Sequence, residues 1–138
     1  MNVTSKFKHA ASYLIEANFY FAVFVLISGG LLSLSDRSVF AYNEALYGAL
    51  DNNLRIIMVY LALTEAVVVA YCFFSKRFHF MILVGFFLLL MIGSLDFYGE
   101  VNTVEIDSDF TGFFLYTGLS HLVYGVFKTD ANWRVHTP

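Results

Sequence analysis

The stretch LRIIMVYLALTEAVVVAYCFF, residues 54–74, decides the fold of this chain. It is almost wholly apolar, and it has about the 20 residues that a helix rising about 1.5 Å per residue needs to cross a bilayer. Near its centre lies Glu65, whose charged form costs on the order of 3 kcal/mol in the middle of a membrane helix. The sequence therefore predicts a membrane-spanning helix that carries one polar group in need of a partner.

The composition of the whole chain points to the same class of protein. Of its 138 residues 59% are hydrophobic and 14% are charged, whereas soluble proteins are nearer half apolar and a quarter charged. We therefore expect a small integral membrane protein that forms a single domain, residues 1–138, with the lipid bilayer and not nucleic acid as its partner. The single cysteine, Cys72, excludes an internal disulfide framework and any multi-thiolate metal site.

Four apolar stretches predict an all-α fold, a bundle of four antiparallel transmembrane helices. We place the helices at about residues 10–34, 54–74, 78–95 and 110–127, with a very short turn between the second and the third. The outer segment between the first two helices, residues 35–53, has apolar residues at helical spacing. This spacing predicts a short amphipathic helix that lies on the membrane surface.

The basic residues predict how the bundle is oriented. The basic residues at one end of the four helices are Lys6, Lys8, Lys76, Arg77, Lys128 and Arg134. The loops at the other end contain only Arg37 and Arg55 as basic residues, beside many carboxylates. Because lysine and arginine concentrate in cytoplasmic segments, both termini are expected in the cytoplasm.

Polar side chains are expected to converge in the cytoplasmic half of the bundle. At helical rise, Glu16 and His121 lie roughly 9 Å and Glu65 roughly 14 Å from the cytoplasmic helix ends. One face of the fourth helix is polar at i, i+3, i+4 and i+7 and should point into the bundle. The candidates for a ligand or proton site are Glu16, Asn18, Glu65, Thr117, Ser120, His121 and Tyr124.

Three interpretations of this polar cluster stay open. Interhelical hydrogen bonds, which often contribute less than about 1 kcal/mol each, need no further role. A proton relay or polar-ligand site is the second interpretation, because imidazole titrates near neutral pH. A divalent metal is the third, although one histidine and two glutamates are few ligands and lack a Glu-His pair at i, i+3. We assign no catalytic residue and no metal ligand, and the residues imply no particular cofactor.

Small residues at regular spacing predict close contacts between helices. Ala62, Ala66 and Ala70 recur every four residues along the second helix and form a stripe against which another chain can pack. Gly85 and Gly93 predict a similar close contact on the third helix.

A structural ion pair is expected at the outer surface of the bundle. Arg55 opens the second helix and Asp96 closes the third, so their side chains should lie at about the same depth. We expect the two to pair, a contact that contributes about 0–1 kcal/mol when it is solvated.

Several short motifs resemble the DoxX-like group of small four-helix bacterial membrane proteins. They are NLR at 53–55, the Lys76-Arg77 turn, GSLD at 93–96 and SGGLL at 28–32. The similarity is to an uncharacterised branch, a domain of unknown function in which an arginine opens the second helix and an acidic residue closes the third. The resemblance implies a four-helix bundle in the bacterial inner membrane. It also implies an association with membrane redox or quinone-linked chemistry, as in named members of the group.

The expected function is non-enzymatic: a small inner-membrane subunit or accessory protein that packs with itself as a homo-oligomer or with another membrane protein. Three alternatives remain open. The first is a small proton-coupled transporter with Glu65 as the carrier and His121 and Glu16 as its relay. The others are a quinone-linked redox subunit and an immunity-type protein that blocks a membrane toxin.

Overall fold

Four helices follow one another along the described part of the chain. A computed structural model describes residues 3–32, 52–103, 105–106 and 108–130, without the side chains of residues 32, 52–55, 109 and 110. The helices are α1 (Val3–Leu32), α2 (Asn52–Ser75), α3 (His79–Asn102) and α4 (Ser108–Thr129). Within these ranges every regular element is a helix, which confirms the all-α prediction for this part of the chain.

Two predictions fall on parts of the chain outside this description. Residues 35–51 of the predicted amphipathic segment are not described. The expected Arg55–Asp96 pair involves a side chain outside the described set, and Asp96 itself is exposed.

Three of the helices are long and apolar enough to cross a membrane. In the described residues these spans are Val3–Leu31, Ile56–Ser75 and His79–Asn102. Large apolar side chains such as Phe24, Phe86 and Leu90 are exposed on their outer faces. Apolar surfaces of this extent are expected to face lipid, so the fold is compatible with an integral membrane protein.

The helices α1 and α3 extend beyond their predicted ends. The first begins at Val3 and not near residue 10, and the third runs to Asn102 and not to Leu95. A helix can be longer than its apolar stretch, because apolar length sets how much of it lies in lipid, whereas hydrogen bonds within the helix also form in water. Gly99 is buried, as are Leu95 and Leu88, so the packed face of α3 continues past Asp96.

Sequential helices run antiparallel, and α1 lies between α2 and α4. Gly30 near the end of α1 lies against Met58 and Ala62 near the start of α2, whereas Tyr20 faces Phe73. The helix α4 packs against both α1 and α3, while α2 and α3 contact each other little. The turn between α2 and α3 covers residues 76–78 and has Lys76 in the left-handed region, with φ 58°. The predicted short turn is therefore present.

Gly85 of α3 makes a close contact with α4. A Cβ at this position would lie 2.7 Å from the Leu122 amide nitrogen and 2.8 Å from the Gly118 carbonyl oxygen of α4. The predicted close contact thus exists at Gly85. At Gly93 the prediction is wrong, because a Cβ there would meet no atom within 4 Å. The two positions are eight residues apart, which turns the second about 80° away from the first.

Two apolar clusters fill the interior of the bundle. One cluster contains the buried residues Leu26, Met58, Leu88, Leu95, Phe113 and Phe114. The other cluster lies nearer the α2–α3 turn and contains Phe19, Cys72, Met81, Tyr124 and Phe127. Along α2 and α4 the polar residues Glu65 and His121 fall between these clusters.

The two glycines of α3 provide a matched test of this packing. We expect Gly85→Ala to lower the free energy of unfolding by about 1–3 kcal/mol, because the added methyl group overlaps the α4 backbone. Gly93→Ala should be neutral or stabilising by up to about 1 kcal/mol, since alanine favours helix more than glycine does. Unfolding in detergent micelles, followed by circular dichroism, measures both. Equal losses of stability in the two variants would contradict this packing of α3 on α4.

Candidate functional site

The candidate site is built around a contact between Glu65 of α2 and His121 of α4. His121 Nε2 and Glu65 Oε1 form a short hydrogen-bonded pair across the bundle. His121 is 0% and Glu65 3% exposed, so both groups are removed from solvent and from lipid. Because an unpaired polar group is costly in such surroundings, each side chain provides the partner that the other needs.

A second hydrogen bond determines how the imidazole is protonated. His121 Nδ1 lies 2.6 Å from the Thr117 carbonyl oxygen one helical turn earlier. A carbonyl oxygen only accepts hydrogen bonds, so Nδ1 carries a hydrogen and donates it. The Nε2 atom therefore shares a single proton with Glu65, either as imidazolium with carboxylate or as neutral imidazole with carboxylic acid. In both arrangements the pair has no net charge.

Packing around the pair holds the imidazole in place. The Phe19 ring of α1 meets the His121 ring edge to face, with centroids 5.2 Å apart. Phe19 also stacks on Tyr124, with ring centroids 3.8 Å apart and an interplanar angle of 5°. The Thr117 hydroxyl donates to the Phe113 carbonyl oxygen at 2.9 Å, so it bonds within its own helix. The pair is thus enclosed by side chains of α1, α2 and α4.

A separate hydrogen-bonded ring joins α1 to α4. The Asn18 amide donates to the Ser120 hydroxyl at 2.9 Å, and Ser120 donates to the Tyr116 carbonyl oxygen at 2.7 Å. The Tyr116 hydroxyl donates to Asn18 Oδ1 at 2.7 Å. We call Asn18, Tyr116 and Ser120 the α1–α4 ring. Unlike the Glu65–His121 pair it lies at the surface, since Asn18 and Tyr116 are exposed.

The second intramembrane carboxylate, Glu16, is also paired. Lys128 Nζ lies 2.6 Å from Glu16 Oε1, and both side chains are 29% exposed. The ammonium group also lies about 5.7 Å from the ring centroids of Phe78, Tyr124 and Phe127, within cation–π range. Glu16 therefore belongs to the helix ends near the α2–α3 turn and does not reach the Glu65–His121 pair.

Tyr124 is the one candidate with no hydrogen-bond partner for its side chain. Its ring is fully buried, and among the described residues its hydroxyl makes no hydrogen bond. Its established contacts are those of a core aromatic residue.

The predicted cluster is thus divided into three separate groups. The sequence predicts Glu65 about 5 Å deeper than His121 in the same half of the bundle, and the structure brings the two side chains into contact. Sequence reasoning missed Tyr116, whose position on an exposed face of α4 gave no signal except its spacing of four from Ser120. It also missed Lys128 as the partner of Glu16, because this lysine entered the sequence analysis only as one of the basic residues that predict the orientation of the bundle.

Surface grooves lined by described residues include the following three. One, of about 340 Å³, lies beside the α1–α4 ring, and a basic one of about 550 Å³ is lined by Lys76, His79 and Lys128. An acidic one of about 500 Å³ lies at the opposite end beside Glu100 and Glu105. Neither Glu65 nor His121 lines any of these three grooves. In the described part of the chain no group of three or more His, Cys, Asp or Glu side chains is arranged to hold a metal ion.

Comparisons of the chain with protein-family models, with curated proteins and with solved structures find no match. The resemblance to DoxX-like proteins therefore stays a prediction.

Substitutions of Glu65 test the role of the buried pair. We expect Glu65→Leu to lower the free energy of unfolding by about 1–3 kcal/mol, because it leaves His121 Nε2 buried without a partner. Glu65→Gln should cost less than about 1 kcal/mol, since a glutamine amide can donate to a neutral imidazole. Unfolding in micelles or bicelles measures both changes.

A double variant serves as the control. Glu65→Leu combined with His121→Leu should be less destabilised than the sum of the two single variants, because neither polar group is then left unpaired. Strictly additive losses, or equal stability of the leucine and glutamine variants of Glu65, would contradict the pairing.

Proposed function

We propose that this chain is a small non-enzymatic membrane subunit or accessory protein that packs with copies of itself or with another membrane protein. We further propose that all four helices cross the bilayer of a bacterial inner membrane, with both termini in the cytoplasm. The observation that carries the proposal is that the two carboxylates named for a carrier and its relay are paired within the chain, Glu65 with His121 and Glu16 with Lys128. Each pair joins two helices. Each also engages, within the chain, a carboxylate on which a proton carrier or a proton relay would depend.

The length and polarity of α4 support a fourth crossing. Its 22 residues rise about 33 Å, close to the thickness of a hydrocarbon core. The polar side chains in its middle, Thr117, Ser120 and His121, are buried in the bundle. Its antiparallel packing on α1 is the arrangement that four sequential crossings produce.

The charges support the proposed orientation. Lys76 and Arg77 lie in the α2–α3 turn, and Lys128 lies in the last turn of α4 at the same end of the bundle. Lys6 and Lys8 lie in the first turns of α1, at this end as well. Concentration of lysine and arginine at one end is typical of a cytoplasmic face.

A proton-coupled transporter is the second candidate, and contact between the two residues named for that role favours it. A carrier needs water at Glu65, however, and this residue is 3% exposed and lies between two apolar clusters. A closed pair of this kind agrees better with a structural contact. The quinone-linked and immunity-type alternatives rest on the sequence alone.

The number of chains per particle tests the proposed function. The full chain, labelled with a fluorophore and taken from native membranes into polymer-bounded lipid particles, should show two or more bleaching steps or a stoichiometric second protein by mass spectrometry. A variant with Glu65→Gln should behave in the same way, because the proposed role needs no proton transfer at this position. A monomer that copurifies with no other protein would contradict the proposal.

A further inference from the structure

The groove between α1 and α4 is lined by both apolar and polar side chains. Leu14, Ile15 and Leu119 line it together with the α1–α4 ring of Asn18, Tyr116 and Ser120. The groove lies on the outer surface of the bundle, and Asn18 belongs to an apolar span long enough to cross the membrane. An amide at this place therefore faces the surroundings of the bundle rather than its interior.

The hydrogen-bond directions in the ring show which donor remains free. Ser120 donates its only hydrogen to the Tyr116 carbonyl oxygen, so it accepts from Asn18 and must face the amide nitrogen. Tyr116 likewise donates its only hydroxyl hydrogen to Asn18 Oδ1. An asparagine amide has two N–H donors, and a single one is used within the described residues. One N–H of Asn18 therefore has no partner among the described residues, and this side chain lines the groove.

Acceptors are present at the same place. Asn18 Oδ1 receives one hydrogen bond but can accept two, and the Tyr116 hydroxyl oxygen receives none among the described residues. The exposed ring thus carries one spare donor beside spare acceptors. Polar groups without partners are unfavourable in hydrocarbon, so this patch favours an occupant that offers both a donor and an acceptor.

We propose that the α1–α4 groove is the interface with a second copy of this chain. The proposal rests on the proposed function and specifies the partner as this second copy. Copies in one membrane insert with the same orientation, so a two-fold axis between them is perpendicular to the membrane. Equivalent residues then face one another at the same depth. The spare N–H of each Asn18 donates to Oδ1 of Asn18, or to the hydroxyl oxygen of Tyr116, in the other copy.

The shape of the patch agrees with this arrangement. Leu14 and Phe21 lie one turn before and after Asn18 on the same side of α1, and they are 70% and 59% exposed. Two projecting apolar side chains beside a groove are the elements that knobs-into-holes packing requires. In an isologous contact each copy offers both its projections and its groove. The interface is therefore complete with two copies of the chain.

Asn18→Leu is the direct test, with Ser94→Leu as its matched control. Asn18→Leu removes the spare donor and should weaken dimerisation in lipid bilayers about tenfold, measured by bleaching steps against the protein-to-lipid ratio. Ser94 is an exposed polar residue of α3 outside the groove, and its hydroxyl donates to the Leu90 carbonyl oxygen of its own helix, so the dimer should persist in Ser94→Leu. Circular dichroism checks that both variants keep their helices.

Disulfide trapping adds a measurement that does not depend on Asn18. In a Cys72→Ala background, Leu14→Cys should form a disulfide between two copies when membranes are treated with an oxidant, because equivalent residues near the axis meet. Tyr13→Cys is the control, since Tyr13 is also exposed but lies on another side of α1. Trapping at position 14 and not at position 13 supports the interface.

The remaining outcomes separate this inference from the proposed function. If association persists in Asn18→Leu, or is lost in Ala66→Leu or Ala70→Leu, the interface lies elsewhere and only the inference fails. If the chain binds a different protein as a monomer, or carries a copurified lipid with no trapping at position 14, the inference also fails. A monomer without any protein partner overturns both the inference and the proposed function.

Discussion

The hydrogen-bonded contact between Glu65 and His121 is the interaction on which the rest of the structure depends. It joins α2 to α4, two helices that otherwise meet mainly through α1. A carboxyl group in the middle of an apolar helix needs a partner, and His121 Nε2 provides it because Thr117 accepts from Nδ1. Apolar clusters on both sides keep water from the pair. The exclusion of water stabilises the contact. It also makes the pair poorly suited to carry protons, because a proton carrier needs contact with water.

Other polar groups of the bundle also pair with one another. Glu16 and Lys128 neutralise each other near the helix ends, where the long lysine side chain lies across aromatic rings. The α1–α4 ring satisfies most of its own hydrogen bonds but stays at the surface. The difference in exposure explains the two roles that we propose. Glu65 and His121 hold one chain together, whereas Asn18 is available to a second chain.

The all-α fold with long apolar helices could be predicted from the sequence, because apolar length reports directly on membrane helices. Which face of each helix points into the bundle could not be predicted. Ala62, Ala66 and Ala70 are four residues apart, but each step turns the helix about 40° beyond a full turn. Ala62 is therefore buried against Gly30 of α1, whereas Ala66 and Ala70 are exposed. Depth in the membrane was enough to name Glu65 and His121 as candidates for one site. It could not separate Glu16 from them, because depth does not show in which direction a side chain points. In the structure Glu16 points towards Lys128.

The most direct test of this account is solid-state NMR of the isotope-labelled protein in lipid bilayers, observed at the nitrogens of His121 and the carboxyl carbon of Glu65. We expect Nδ1 to carry a hydrogen bonded to the Thr117 carbonyl, and Nε2 to show a short through-space contact with the Glu65 carboxyl carbon. The shared proton should exchange slowly with deuterated water. An unprotonated Nδ1, the absence of the Nε2–carboxyl contact, or rapid exchange at Glu65 would contradict a closed structural pair.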